Sequence, residues 1–427
     1  MHDQRAPSPA IPRVLAEEDA PATTTGPQAA VRPRRIQLWS YNYDPEPTGI
    51  GPVSRTWALA MKARGHDVSV VAAHPHYPSP DWGTRVIPYR ERREGIDVLR
   101  LPLWIGRSTA RERVRQEASF MAAQFAAIPA LGRPDVAVVV SPSFPALLPA
   151  IIGNRVRRTP WILWLHDILP DAAAVTGLLD EQSKVIRASR RLERAAYRHA
   201  DRIVVLSSAF TENLTAKGVP EDKIRLIYDP ATRTPTQAVR ERSSRTPRIL
   251  CMGNIGFSQG LTALVGAFEA DPAVAGPDVR LVITGNGLAA DDVREQIATD
   301  RVQMLGVVDS DRLEQELHQA DIGLVTQHHE GGEFNIPSKL MNFMAYGLPV
   351  LAAVNPAGEV ARIVEASGAG WVVDSGDPEA LPQAIARIAA DPEDQRLRSQ
   401  RARAWAEEHY TADGFARRFD AVIGEVC

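Results

Sequence analysis

The chain has 427 residues, 44% of them hydrophobic and 24% charged, and a formal net charge of −3 from 49 basic and 52 acidic residues. This balance is ordinary for a globular protein and argues against a dedicated nucleic-acid binder; at about 100–200 residues per domain, the length predicts two domains. Its two cysteines, Cys251 and Cys427, exclude a disulfide framework and have no metal-ligand spacing, so we expect a reducing compartment.

The first 34 residues predict a disordered tail. They are rich in Pro, Ala and Thr and contain no apolar run of the kind that a secretory signal needs. No segment has about 20 uninterrupted apolar residues, and the most apolar one, 136–152, is broken by prolines. We therefore expect a cytoplasmic protein without a membrane-spanning helix.

From residue 35 the chain alternates between short apolar runs and helical stretches. The run Arg35–Ser40 leads into a loop with Gly49 and Gly51, a helical stretch at 55–64 and a second strand at 68–72. Strand, glycine turn, helix and strand form the opening unit of a doubly wound sheet. Further buried parallel strands are predicted at 136–140, 161–165 and 203–206.

The segment 101–131 lies between the predicted strands at 68–72 and 136–140, and two interpretations of it stay open. Trp104 and Ile105 precede a group of arginines and then an apolar helical stretch. A basic stretch beside an apolar face can lie on an anionic membrane surface, which would make the protein peripheral on the inner face of the membrane. The alternative is a core-facing helix with a charged edge.

A second series of strands begins after a polar segment with prolines, 232–247, which fits an interdomain linker. The strand Arg248–Met252 is followed by Gly253 and Gly256, and the strand 281–284 ends at a second glycine turn. Strands at 322–325 and 350–353 continue the series. The pattern predicts an α/β fold with two Rossmann-like, doubly wound domains, at 35–231 and 248–410.

The glycine turns argue against several chemistries. PTGIGPVS lacks the third glycine of a dinucleotide-binding turn, and GNIGFSQG has the wrong spacing. A P-loop and the G-x-S-x-G elbow of serine hydrolases are both absent from the sequence. Glycine turns at helix starts remain, where backbone N–H groups can hold a phosphate. One such turn alone is better explained by chain reversal, but the set of turns favours phosphate binding.

Three motifs carry a resemblance to a known family. They are PEPTGIG (45–51) with GHDV (65–68), WLHDILPD (164–171), and NIPSKLMN (335–342) leading into MAYGLPV (344–350). Together they resemble family 4 glycosyltransferases of the GT-B fold, in the branch typified by colanic-acid and O-antigen transferases. The resemblance runs from about residue 35 to the C-terminus and implies two Rossmann-like domains that face each other across a cleft.

The resemblance also implies an activity, which is retaining transfer of a sugar from a UDP- or GDP-linked donor to a hydroxyl acceptor. The acceptor would be a glycan, a lipid-linked molecule or a small molecule, bound by domain 35–231. Domain 248–410 would bind the donor, and a helix at 411–427 would cross back to the first domain. No cofactor, metal or nucleic acid is implied, and no D-x-D cluster occurs.

Site residues follow from the same resemblance. Lys339 would supply a cation to the diphosphate from an exposed first helical turn, and Asp167 and His166 would act with it in catalysis. Asn342 stands where many relatives have a ribose-binding glutamate, and Val307 lies in the loop that contacts the base. The other residues expected at the donor are Gly49, Gly51, Gly253, Gly256, Ser338 and Glu333.

The chain departs from the family pattern at two places. The usual pair of glutamates eight positions apart is out of register, because counting back from Asn342 gives Phe334, with Glu330 and Glu333 displaced. Gln259 also stands where many relatives carry a basic residue. The diphosphate would therefore depend on Lys339 and helix dipoles.

Simpler roles stay open for several of these residues. His166 could only cap its strand, the glutamates could be loop acids, and His74, His76 and Tyr77 could either line the acceptor or belong to a loop. Two alternative functions also stay open. One is a nucleotide-sugar isomerase resembling the 2-epimerases, and the other is a non-catalytic sugar-nucleotide-binding protein.

Overall fold

The computed structural model describes residues 32–47, 49–76, 82–83, 85–106, 109–141, 146–167, 184–270, 276, 278–329 and 336–427. They form two compact units. The first ends at Tyr228 and also contains Phe415–Cys427, and the second is Asp229–Gly414. Most of the predicted tail, residues 1–31, lies outside the described residues.

The first unit is built on one large sheet. Its strands are β1 (Arg35–Ser40), β2 (Asp67–Ala73), β3 (Tyr89–Arg93), β4 (Ile96–Leu101), β5 (Val136–Ser141), β6 (Trp161–Leu165), β7 (Arg202–Val205) and β8 (Ile224–Leu226). The order is β3-β4-β2-β1-β5-β6-β7-β8, parallel throughout except for β3 against β4. The central strands β5 and β6 are buried at every position, because helices cover both faces of a parallel sheet.

Helices connect these strands. They are α1 (Ile50–Ala63), α2 (Ala110–Ala127), α3 (Leu147–Arg157), α4 (Lys184–His199) and α5 (Ser208–Ala216). Helix α2 begins at a capping box, in which the Thr109 side chain accepts from the N–H of Glu112 and the Glu112 side chain accepts from the N–H of Thr109. Helix α3 packs against both α2 and α4.

The second unit has a sheet of six parallel strands. They are β9 (Arg248–Met252), β10 (Arg280–Thr284), β11 (Val302–Gly306), β12 (Ile322–Thr326), β13 (Val350–Val354) and β14 (Gly370–Asp374), in the order β11-β10-β9-β12-β13-β14. The helices are α6 (Leu261–Ala270), α7 (Ala290–Glu295), α8 (Ser310–Gln319), α9 (Ser338–Ala345), α10 (Glu359–Ser367), α11 (Ala380–Ala390) and α12 (Pro392–His409).

Both sheets contain the same strand order. From β4 to β7 in the first unit and from β11 to β14 in the second, the order is 3-2-1-4-5-6, which is that of a Rossmann-like sheet. The predicted α/β class with two Rossmann-like, doubly wound domains is confirmed. The order reverses beside β1 and beside β9, and ligands of such sheets bind outside the carboxyl ends of the strands at that point.

Helix α13 (Ala412–Val426) belongs to the first unit from Phe415 onward. The ring of Phe419 lies 5.7 Å from that of Trp57 and 5.0 Å from that of Trp164, measured between centroids. All three side chains are buried. The helix therefore supplies part of the hydrophobic core of the first unit.

The segment predicted as a linker, 232–247, packs within the second unit. The Arg242 side chain is fully buried, and its guanidinium donates to the carbonyl oxygens of Leu317, His318 and Tyr346. The units divide at Tyr228. Because a buried guanidinium needs such partners, the segment is fixed to the second unit and is not a free connection.

Within the part of the chain that the structure describes, no helix combines the length and the apolar character needed to cross a bilayer.

Candidate functional site

Lys339 lies in the first turn of α9, and its side chain is buried. Its Nζ donates to Oε1 of Gln259 at 2.7 Å, and the ammonium forms no ion pair with any described carboxylate. Burial lowers the pKa of Lys339. The sequence predicted an exposed lysine, and this was wrong because α9 is buried continuously from Lys339 to Met344.

This lysine lies beside the point where the strand order of the second sheet reverses. Gln259 follows β9, Lys339 lies in the helix that follows β12, and these two strands are neighbours. A buried ammonium that donates to a neutral amide is costly unless an anion compensates its charge. The carboxyl edge of the second sheet is therefore a candidate site for an anionic ligand.

Gly253 leaves open space beside this site. Its φ is +105°, and no atom lies within 4 Å of the position that a Cβ would take. A Cβ on Gly256 would come within 2.9 Å of the end of the flexible Asn254 side chain, which can move aside. The geometry is compatible with the predicted approach of a phosphate at both glycines, and the space beside Gly253 is already open.

The second glycine turn of this edge holds two loops together. A Cβ on Gly285 would lie 1.8 Å from the carbonyl oxygen of Gly253, and one on Gly287 would lie 2.3 Å from that of Ile255. The loops after β9 and β10 are therefore in direct contact. These glycines fix the backbone around the anion site.

Large apolar side chains project from the same edge. Phe257, Leu288 and Val307 follow β9, β10 and β11, and they are 64%, 86% and 78% exposed. Exposed apolar groups close to a few placed polar groups are typical of a small-molecule site. Val307 was predicted at the base from the resemblance. Phe257 lies within GNIGFSQG but was not predicted at the site, and Leu288 belongs to no motif considered above.

The amide of Asn342 is bound within the second unit. Its Oδ1 accepts from the backbone N–H groups of Thr232 and Arg233, both at 3.0 Å, and the side chain is buried. This geometry favours an anchoring role over contact with a ribose. Ser338 is exposed at the first position of α9 and is compatible with its predicted place at the donor.

In the loop after β1, the Glu46 carboxylate already has hydrogen-bond partners within the first unit. The buried carboxylate of Glu46 accepts from Asn42 Nδ2 at 2.9 Å and from the backbone N–H of His76 at 2.8 Å. A Cβ on Gly51 would lie 2.8 Å from the carbonyl oxygen of Glu46, so Gly51 has a packing role. Gly49, with φ +67°, has no atom within 4 Å of its Cβ position and remains open.

His166 and Asp167 follow β6 directly, at the carboxyl edge of the first sheet, and both are partly buried. Burial raises the pKa of Asp167 to about 6 and lowers the pKa of His166 to about 3. The imidazole is therefore neutral at pH 7, and its ring lies 4.8 Å from that of Trp164. The carboxyl group gains its charge close to neutral pH, which suits a proton acceptor.

His74 and His76 are held by the loop after β2. Both are buried; the His74 ring contacts Tyr89 Oη at 3.2 Å and Gly83 O at 2.9 Å, and the His76 ring contacts His74 O at 2.9 Å. These contacts favour the loop interpretation. Predictions for Tyr77, Glu330 and Glu333 lie outside the described residues.

Comparison with known protein families agrees with this geometry. Residues 48–230 match a model described as a glycosyl transferase 4-like domain, and residues 246–391 match one described as glycosyl transferases group 1. The chain belongs to the family 4 glycosyltransferases of the GT-B fold. The resemblance predicted from the motifs is confirmed.

This glycosyltransferase is similar to bacterial proteins along most of its length. It is 25% identical to WcaI of Escherichia coli (strain K12), named for colanic acid biosynthesis, over 90% of this chain and 98% of the relative. It is 26% identical to WbjE of Pseudomonas aeruginosa, named as a probable glycosyltransferase, over 53% of this chain and 59% of the relative.

Solved structures share the fold of the glycosyltransferase. A sucrose-phosphate synthase from Thermosynechococcus elongatus has a TM-score of 0.66 at 20% identity and covers 91% of this chain and 98% of its own. HepE of Anabaena, solved in complex with UDP, has a TM-score of 0.63 at 18% identity and covers 92% and 100%. At these identities the likeness is one of fold.

Proposed function

We propose that this glycosyltransferase moves a sugar from a nucleotide diphosphate donor to a hydroxyl acceptor, with retention of anomeric configuration, in the biosynthesis of a polysaccharide. Relatives named for colanic acid biosynthesis support the product class. HepE, which was solved with UDP and with UDP-glucose, supports a UDP-linked donor ahead of a GDP-linked one.

The observation that carries the proposal is the buried Lys339 ammonium, which has a neutral partner in Gln259. A diphosphate matches it in charge, and Gly253 leaves room for the close approach of a phosphate. The exposed apolar residues of the same edge, Phe257, Leu288 and Val307, suit the face of a nucleobase. Together they form a site for a nucleoside diphosphate within the second unit.

In the reaction, the bond between the anomeric carbon and the diphosphate oxygen breaks, and a bond to the acceptor oxygen forms. The leaving diphosphate gains negative charge, and Lys339 stabilises that charge in the transition state more than in the ground state. For the configuration to be retained in this one step, the acceptor oxygen attacks the anomeric carbon from the face that the diphosphate leaves. The acceptor hydroxyl loses its proton in that step, and we assign the Asp167 carboxylate as the group that accepts it. Asn342 and Glu46 take no part in this chemistry.

Turnover without a metal ion is part of the proposal. The lysine supplies the positive charge that a divalent cation supplies at other diphosphate sites. Activity after treatment with EDTA, followed by addition of Mg²⁺ or Mn²⁺, tests this directly. An enzyme that is inactive in EDTA and restored by either ion would remove this part of the proposal.

A thermal-shift series with UDP, GDP and their sugar conjugates tests the donor site. At about 100 times its dissociation constant, the correct ligand should stabilise the protein by about 2.7 kcal/mol. NMR of the fresh product then gives its anomeric configuration, and inversion would contradict the retaining mechanism. Conversion of the nucleotide sugar without an acceptor would favour the isomerase, and binding without turnover would favour a non-catalytic protein.

A further inference from the structure

Helix α3 presents an apolar stripe to solvent. Leu148, Ile152 and Val156 are 37%, 41% and 70% exposed, and their spacing of four residues places them on one face over about 12 Å. The opposite face is buried through Leu147 and Ile151. Among the described helices, no other exposes three large apolar side chains. We call these three residues the α3 stripe.

The neighbouring helix α4 is strongly basic. It contains six basic residues and one acidic residue, in a chain whose net charge is −3. The acid, Glu193, is buried and accepts from Lys217 Nζ at 2.8 Å. The exposed arginines repeat along one face of the helix, and none forms an ion pair with a described residue; they are Arg187, Arg191, Arg194 and Arg198.

Because α3 and α4 pack side by side, the apolar stripe and the uncompensated cations lie on adjacent helices of one layer. Exposed apolar patches mark interaction surfaces, and arginine can bury its stem while its head group stays in water. We propose that this surface of the first unit binds an anionic lipid bilayer. The α3 stripe enters the headgroup region, and the arginines of α4 bind lipid phosphates.

This surface differs from the segment 101–131, to which the sequence pointed. There the Arg115 guanidinium stacks on the Trp104 ring at 3.6 Å, so the exposed aromatic residue is already partly covered. Phe120 is buried in the core, and Glu112 and Glu117 offset part of the charge of α2. The structure therefore favours α3 and α4 over α2 as the bilayer contact.

Charge complementarity decides between a bilayer and other occupants. A second copy of the chain would bring the arginines of α4 against themselves across a two-fold axis, which is repulsive. An anionic bilayer matches the cations and the apolar stripe at the same time. The inference is independent of the donor site and of the proposed function.

Flotation of the full chain with lipid vesicles tests this surface. We expect binding to vesicles of phosphatidylcholine mixed with phosphatidylglycerol, weak binding to phosphatidylcholine alone, and loss of binding as salt screens the charges. The double variant Arg191→Gln/Arg194→Gln should bind about 25-fold more weakly, at about fivefold per residue. Leu148→Ser/Ile152→Ser should lose about tenfold.

The matched control is Arg111→Gln/Arg115→Gln in α2, which removes the same charge from the neighbouring helix. It should retain binding within about fivefold, and unchanged melting temperatures exclude unfolding. Three results would overturn the inference. The α4 variant could bind as tightly as the wild type, the α2 variant could lose binding instead, or the wild type could fail to bind anionic vesicles. The inference would also be overturned if the wild type forms a dimer that Leu148→Ser/Ile152→Ser abolishes.

Discussion

The two sheets share one strand order, but the loops after their first strands differ in what they leave available. After β1, the Glu46 carboxylate is buried and accepts from groups of its own unit, at Asn42 and His76. After β9, Gly253 has an open face, and Gln259 holds the Lys339 ammonium. A glycine turn at the reversal of strand order thus marks a candidate site, and we expect uncompensated charge to distinguish the loop that binds a ligand.

The largest effect is expected at Asp167, which decides whether the first unit contributes chemistry. Asp167→Asn should lower kcat by about 10²–10⁴, as for loss of a general base, and leave donor affinity nearly unchanged. In the wild type, kcat should rise with pH through about 6, where burial places the pKa of this carboxyl group. Steady-state kinetics measured over about pH 5–8 check both expectations.

The same pKa has a consequence for stability with a definite sign. The carboxyl group holds its proton up to about pH 6 when folded but only to about pH 4 when unfolded. Its contribution to stability is therefore complete below pH 4 and is lost as pH rises through 6. Asp167→Asn should lack this decline in melting temperature. A variant with the wild-type pH profiles would remove Asp167 from the mechanism.

Lys339→Ala should have the next largest effect. We expect kcat to fall by about 10²–10³, the range for loss of one preorganised group that stabilises developing charge, together with weaker binding of UDP. Because the lysine is buried, Lys339→Met is the matched control for packing, and it should be equally inactive but retain the melting temperature. Lys339→Arg should recover part of the activity. Wild-type kinetics and UDP affinity in Lys339→Met would refute the donor site.

Substitution of Gln259 should have a smaller effect on UDP binding, because it acts through Lys339. Gln259→Met removes the acceptor that holds Nζ, and the loss of a hydrogen bond to a charged group should weaken UDP binding by about tenfold. Calorimetric titration with UDP measures this change. The same substitution in a Lys339→Met background should cost little, because the partner is gone. Additive losses in the double variant would show that Gln259 acts independently of Lys339.

The smallest change in activity is expected at Glu46, whose carboxylate already has hydrogen-bond partners within the first unit. Glu46→Gln should leave kcat and KM within about twofold and reduce the free energy of unfolding by about 1–3 kcal/mol. The amide NH2 of glutamine cannot accept, and so one of the two donors that Glu46 binds loses its acceptor. Chemical denaturation and kinetics on one preparation separate the two. A large fall in kcat at full stability would erase the contrast between the two loops.

The sequence predicted the fold best where strands are buried on both faces. The bounds of β1, β6 and β9 were predicted without error, because such strands read as continuous apolar runs. β3, with the sequence YRERR, was missed because it is an edge strand whose charged side chains break the apolar pattern. β11 and β14 are also edge strands, and their partial exposure weakens the same signal.

The site was predictable where a local motif defines it and not where distant residues meet. The motif located Lys339 at a helix start, but its burial and its bond to Gln259 join positions 80 residues apart. Gln259 was recognised as a departure from the family, yet its partner could not be read from the sequence. Asn342 shows the converse, because its place in the motif suggested a ribose, and the fold uses its amide to hold Thr232 and Arg233.

Helix α13 delays the completion of the first unit during synthesis. Phe419 packs on Trp57 and Trp164, but it leaves the ribosome only after Asp229–Gly414 has been made. At about 5–20 residues per second, the nascent first unit waits roughly ten to forty seconds with that part of its core open to solvent. The part of the protein that emerges first is thus the last to close, and the two tryptophans form an apolar surface that chaperones can bind in the interval.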